Sequence, residues 1–167
     1  MLEKSSNKIR LLVALLAVCA ALVFLAGCSA KPEQTPVQTE AAAVKEAGED
    51  LSIPVSGLTD EPQFYPYSVN GKDMEIIALT ASDGSVRTAF NTCQVCYSSG
   101  NGYYKVKGDT LVCQNCGNQF GFDEIALTRG GCNPVPIAEE ERKEQDGNLV
   151  ISADYLGKAS ELFANWK

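Results

Sequence analysis

The sequence predicts an α+β protein, mainly β, made of short hairpins with one helix at the C-terminal end. Three observations point there. Tight-turn dipeptides (Asn70-Gly71, Asp83-Gly84, Gly108-Asp109) separate stretches that alternate or are rich in strand formers. Two Cys-x-x-Cys pairs fall where such stretches end. After Ser152, Leu156, Ala159, Leu162 or Phe163, and Trp166 recur at helical spacing, a stripe that belongs to a core.

The N-terminus has a different character. Lys4, Lys8 and Arg10 precede an apolar run from Leu11 to Ala26, the order of an export signal. The run is short for a membrane span, which takes about 20 apolar residues. It ends in Leu25-Ala26-Gly27-Cys28 and resembles a bacterial lipobox. That resemblance implies cleavage before Cys28 and acylation of its thiol. The alternative is an uncleaved N-terminal anchor. Residues 1–27 are thus expected to be a signal that takes Cys19 with it. Acyl chains on Cys28 would hold the protein to membrane lipid on the extracytoplasmic face.

Residues 28–56 carry no aromatic side chain and are rich in Ala, Glu, Gln, Thr and Pro, which reads as a flexible tether. The folded domain is expected over 57–167. Gln63 to Val69 is β-prone, and Pro66 places it at a sheet edge. Met74 to Ala81 reads as a strand that buries Ile76, Ile77 and Leu79. Ser85 to Asn91 alternates, with Val86, Thr88 and Phe90 opposite Ser85, Arg87 and Ala89. Tyr103–Val106 and Thr110–Val112 form a further hairpin, and the second strand enters Cys113. Phe120 to Leu127 is expected to be a strand, Arg129 to Pro136 irregular, and Glu139 to Gly147 a charged surface loop. Leu149 to Ser152 is a short strand with Ser152 as helix N-cap, and Ala153 to Trp166 is the helix.

Charge and composition narrow the chemistry. Beyond residue 27 there are 11 basic and 20 acidic side chains, so a nucleic-acid partner is not expected. Histidine is absent, which removes Ser-His-Asp and Cys-His catalysis. No catalytic residue is expected, and the chain does not read as an enzyme.

The cysteines carry the functional signal. Cys93, Cys96, Cys113 and Cys116 read C-x₂-C-x₁₆-C-x₂-C, a tetrahedral metal-site pattern. Two residues between thiols let a tight turn aim both sulfurs at one ion. Gly117 supports the second turn, since glycine accepts positive φ. The hairpin-ended knuckles look like those of a zinc ribbon or a rubredoxin. Two structural disulfides are the main alternative in an exported chain, but five thiols leave one over. A redox dithiol is the third possibility, and it usually sits at a helix N-terminus rather than among strands. Cys132, in Gly130-Gly131-Cys132-Asn133-Pro134, is either a fifth thiol at the metal or a buried free thiol. Tyr97, Tyr103 and Tyr104 lie near in sequence, as hairpin packing or as a shield against water.

The segments Ala81-Ser82-Asp83-Gly84, Phe90-Asn91-Thr92-Cys93-Gln94-Val95-Cys96-Tyr97, Val112-Cys113-Gln114-Asn115-Cys116-Gly117-Asn118-Gln119-Phe120 and Gly130-Gly131-Cys132-Asn133-Pro134-Val135-Pro136 resemble the membrane iron–sulfur-containing FtrD-like family. The similarity extends more loosely from about Leu58 to Trp166. It implies an iron or iron–sulfur centre linked to iron transport and electron transfer. It also maps Cys93, Cys96, Cys113, Cys116 and Cys132 onto the family's cysteines. The partner implied is a membrane transporter or a redox protein. The knuckles alone favour zinc, so a binding module with a structural Cys₄ zinc is the alternative.

Overall fold

The computed structural model describes residues 48–167. The signal, Cys28 and most of the expected tether lie outside these residues. Among the described residues, ten strands form three antiparallel sheets, joined by short 3₁₀ turns and one α-helix.

The central sheet has the order β2-β3-β4-β8. Strands β2 (Gln63–Val69) and β3 (Lys72–Thr80) meet at Asn70-Gly71, where both residues have positive φ (52° and 73°), as a two-residue hairpin loop requires. Pro66 lies in β2 at the sheet edge, where no neighbour needs its missing N–H. Strand β4 (Val86–Cys93) pairs with β3 and runs into the first knuckle.

Alternation along β3 and β4 makes this sheet a wall between two cores. Met74, Ile76, Ala78 and Phe90 face one core, which also holds Leu51, Ile53, Leu149, Ile151, Leu156 and Phe163. Ile77, Leu79 and Ala89 face the other, with Tyr104, Leu111, Phe120, Ile125 and three of the cysteines. Each fully buried aliphatic side chain contributes about 1.5–3 kcal/mol.

The first core is closed by the sheet β1-β10-β9 and the helix. Strand β10 (Asn148–Ile151) lies between β1 (Leu51–Pro54) and β9 (Arg142–Gln145). Helix α1 (Ala153–Ala159) begins where the Ser152 hydroxyl accepts the Tyr155 N–H at 3.3 Å. The second core is capped by β5 (Tyr104–Lys107), β6 (Thr110–Cys113) and β7 (Gln119–Gly121).

Several expectations are corrected. The fold starts before residue 57: Leu51–Pro54 is a strand because Leu51 and Ile53 fill the first core, so the tether does not extend to residue 56. Phe120 to Leu127 is not one strand, since β7 ends at Gly121 and a 3₁₀ turn follows over Phe122–Glu124. Arg129 to Pro136 includes the strand β8 (Pro134–Pro136), whose edge position tolerates its prolines. The charged segment after Glu139 contains β9, an edge strand whose polar side chains face water. The helix is shorter than its apolar stripe and tightens into 3₁₀ over Ser160–Phe163.

Candidate metal centre

Three loops meet at one end of the second core. Cys93 is the last residue of β4, and Cys96 lies three residues on. The Cys96 N–H donates to Cys93 Sγ at 3.3 Å, the bond that folds a Cys-x-x-Cys turn around its sulfur. Cys113 is the last residue of β6. There the Gly117 N–H donates to the Cys113 carbonyl at 2.9 Å, with Gly117 at φ 74°. Gly130 and Gly131, at φ 85° and 74°, turn the third loop so that Cys132 enters from the side.

Side chains lace the loops together. Gln94, inside the first knuckle, accepts the Gly130 N–H at 2.7 Å and donates to the Pro134 carbonyl at 3.2 Å. The Gln94 N–H donates to the Asn133 carbonyl at 3.0 Å. Asn118, just after the second knuckle, donates to the Cys132 carbonyl at 3.0 Å. Asn91 clamps the hairpin from below: Tyr104 N–H donates to its Oδ1 at 2.7 Å, and its Nδ2 donates to Glu75 at 2.6 Å. Gln94, Asn91 and Asn118 were not singled out from the sequence. Their polar side chains beside the cysteines were the available signal.

The sulfurs converge. Cys132 Sγ lies 3.2 Å from Cys93 Sγ, 4.0 Å from Cys96 Sγ and 2.8 Å from Cys116 Sγ. The Sγ atoms of Cys93, Cys96, Cys113 and Cys132 all lie within 4.8 Å of one another. Cys93, Cys96 and Cys113 are buried, Cys132 is half-buried and Cys116 is exposed. All five are free thiols. The spacing pattern pointed to Cys116 as the fourth member of a closed set. The four sulfurs mutually within 4.8 Å include Cys132, while the exposed Cys116 touches the group through Cys132. Tyr104 is buried against the cluster, its hydroxyl 3.9 Å from Cys132 Sγ. Tyr97 is exposed, and Tyr103 packs edge-on against Trp166.

Electrostatics sort these thiols. Burial pushes Cys93 up, but N–H groups of Val95 and Cys96, the Tyr104 hydroxyl and Cys132 together hold it below its usual value. Burial, together with the neighbouring Cys93 and Cys116, raises Cys96 to about 11, against a contact from Asn115 that lowers it. Cys132 is raised by burial and by donating to its sulfur neighbours. Cys116 is lowered to about 7, first by its contact with Cys132 and then by the Asn118 N–H. The five sulfurs therefore differ in acidity, with Cys93 and Cys116 the more readily deprotonated and Cys96 and Cys132 the less.

Residues 59–163 match the family described as membrane iron-sulfur containing protein, FtrD-like. The chain belongs to that family. No curated protein matches it. The all-sulfur donor set of this FtrD-like chain suits the iron its family name carries, as soft thiolates do in general, and suits zinc equally. A tetrahedral ion with bonds of about 2.3 Å separates its sulfurs by roughly 3.8 Å, within the range seen here. Among the described residues of the FtrD-like chain, no helix is long and apolar enough to cross a membrane.

Proposed function

We propose that this FtrD-like protein is a lipid-anchored, extracytoplasmic metal-centre protein that serves a membrane transporter or redox partner in iron uptake or electron transfer. The observation that carries this reading is the convergence of sulfurs from three loops into a space the size of one ion. Cys93, Cys96, Cys113 and Cys132 would hold the iron. Bound iron supplies one-electron redox chemistry or is itself the cargo. The chain's own part is to hold four sulfurs ready, to exclude water with Tyr104 and the second core, and to direct N–H groups at Cys93. The sulfur separations favour a single ion over a cluster, in which bridging atoms push the cysteines apart.

A structural zinc is the second reading, favoured by the burial of three of the four sulfurs within a core they help to fill. Elemental analysis and an ultraviolet–visible spectrum of protein purified without air separate the two. Iron at one per chain with visible thiolate absorption supports the proposal. One zinc per colourless chain supports the second reading. Protein without metal and with paired disulfides overturns both. The anchor is tested apart from the metal: Cys28→Ser should move the protein out of the membrane fraction and leave its metal content unchanged.

A further inference from the structure

Five thiols surround a space that four would fill, and one of the five faces water. We propose that Cys116 is an exchange thiol, which passes a metal ion between solvent or a partner and the quartet of Cys93, Cys96, Cys113 and Cys132. This rests on the metal-centre reading above and assigns the direction from which that centre is loaded and unloaded.

The geometry argues for it in three ways. Cys116 is outside the group of mutually close sulfurs, yet its Sγ lies 2.8 Å from Cys132 Sγ. Exposure rises in the same order, from buried Cys93, Cys96 and Cys113 through half-buried Cys132 to exposed Cys116. The two outer thiols are each flanked by glycine at positive φ, Gly117 beside Cys116 and Gly131 beside Cys132. The three inner ones sit at strand ends or in a packed turn.

The step is a ligand exchange with no change in oxidation state. As Cys116 Sγ forms a bond to the ion, Cys132 Sγ gives up its own. Cys116 joins and Cys132 leaves as thiolates, with no net transfer of protons. The number of thiolates on the ion and the total charge stay constant. Running the step inward seats an arriving ion, and running it outward presents the ion at the surface. A single exposed thiolate there is open to a partner's ligand.

The test uses full-length protein loaded with cobalt(II) without air, since cobalt–thiolate absorption reports how many sulfurs are bound. Brief iodoacetamide treatment followed by peptide mapping should find Cys116 alkylated, and Cys93, Cys96, Cys113 and Cys132 protected, with the absorption intact. Mapping keeps Cys19 and Cys28 apart from this count. Cys116→Ser should keep the full absorption but pass cobalt to an added chelator several-fold more slowly. Cys132→Ser should keep most of the absorption, because Cys116 then serves as the fourth thiolate, and Cys116 should become protected from iodoacetamide. Alkylation of Cys132 with protection of Cys116, or an unchanged transfer rate in Cys116→Ser, overturns the proposal while leaving the metal centre standing. Failure to bind cobalt at all overturns the metal-centre reading as well.

Discussion

The indole N–H of Trp166 donates to the main-chain carbonyl of Asn91 at 2.8 Å, which ties the C-terminal segment to the strand that delivers Cys93. The Asn91 side chain in turn grips the Tyr104 backbone at both ends, through Oδ1 and Nδ2. The metal-site hairpin is therefore braced from two sides of the central sheet. Asn91→Ala should destabilise the protein by about 1–3 kcal/mol, because it leaves the buried Tyr104 N–H without a partner. Thermal unfolding checks this. Trp166→Phe should cost less, since the ring contacts with Phe163 and Tyr103 are largely kept.

Gly102 lies against the first knuckle. A Cβ there would come within 2.6 Å of the carbonyl carbon and oxygen of Cys96, and the Gly102 carbonyl accepts the Cys93 N–H at 2.7 Å. Neither backbone segment can yield without moving a cysteine. Gly102→Ala should cost about 1–3 kcal/mol and lower metal content together with stability. Calorimetry and elemental analysis of the variant read the two effects.

Tyr104 fills the base of the sulfur cluster, and its hydroxyl, 3.9 Å from Cys132 Sγ, helps lower Cys93. A donor to a thiolate stabilises the more negative, reduced form of an iron centre. Tyr104→Phe keeps the ring and removes the donor. The expected outcome is a lower reduction potential with little change in unfolding temperature, measured by redox titration.

Protons compete with metal for these sulfurs. Cys96 and Cys132 are both raised above the ordinary thiol value, chiefly by burial, so both hold their protons more tightly than a free thiol. Binding an ion through them must release at least those two protons. Affinity should therefore fall as pH drops. Titration calorimetry in two buffers of different ionisation enthalpy counts the protons directly.

Much of the centre was legible from spacing alone. The two Cys-x-x-Cys pairs sit at the ends of β4 and β6, where strand alternation placed them. What spacing could not give was the rank order of the thiols. Cys132 joins the inner quartet because β8 pairs with β4 and because Gln94 and Asn118 hold its loop, all contacts between residues distant in sequence. The short strands β8 and β9 were hidden for a related reason. Pro134-Val135-Pro136 and Arg142–Gln145 have no strand-like composition, and their pairing is imposed by a neighbour rather than by propensity. Strand β1 was missed because only two of its residues, Leu51 and Ile53, are apolar and buried, too few for a pattern.

Metal-edge X-ray absorption on protein purified without air measures the central claim most directly. One ion held by cysteines from three loops gives a first shell of about four sulfurs near 2.3 Å and no metal–metal distance. A shell dominated by oxygen or nitrogen, or a clear metal–metal vector, would contradict it.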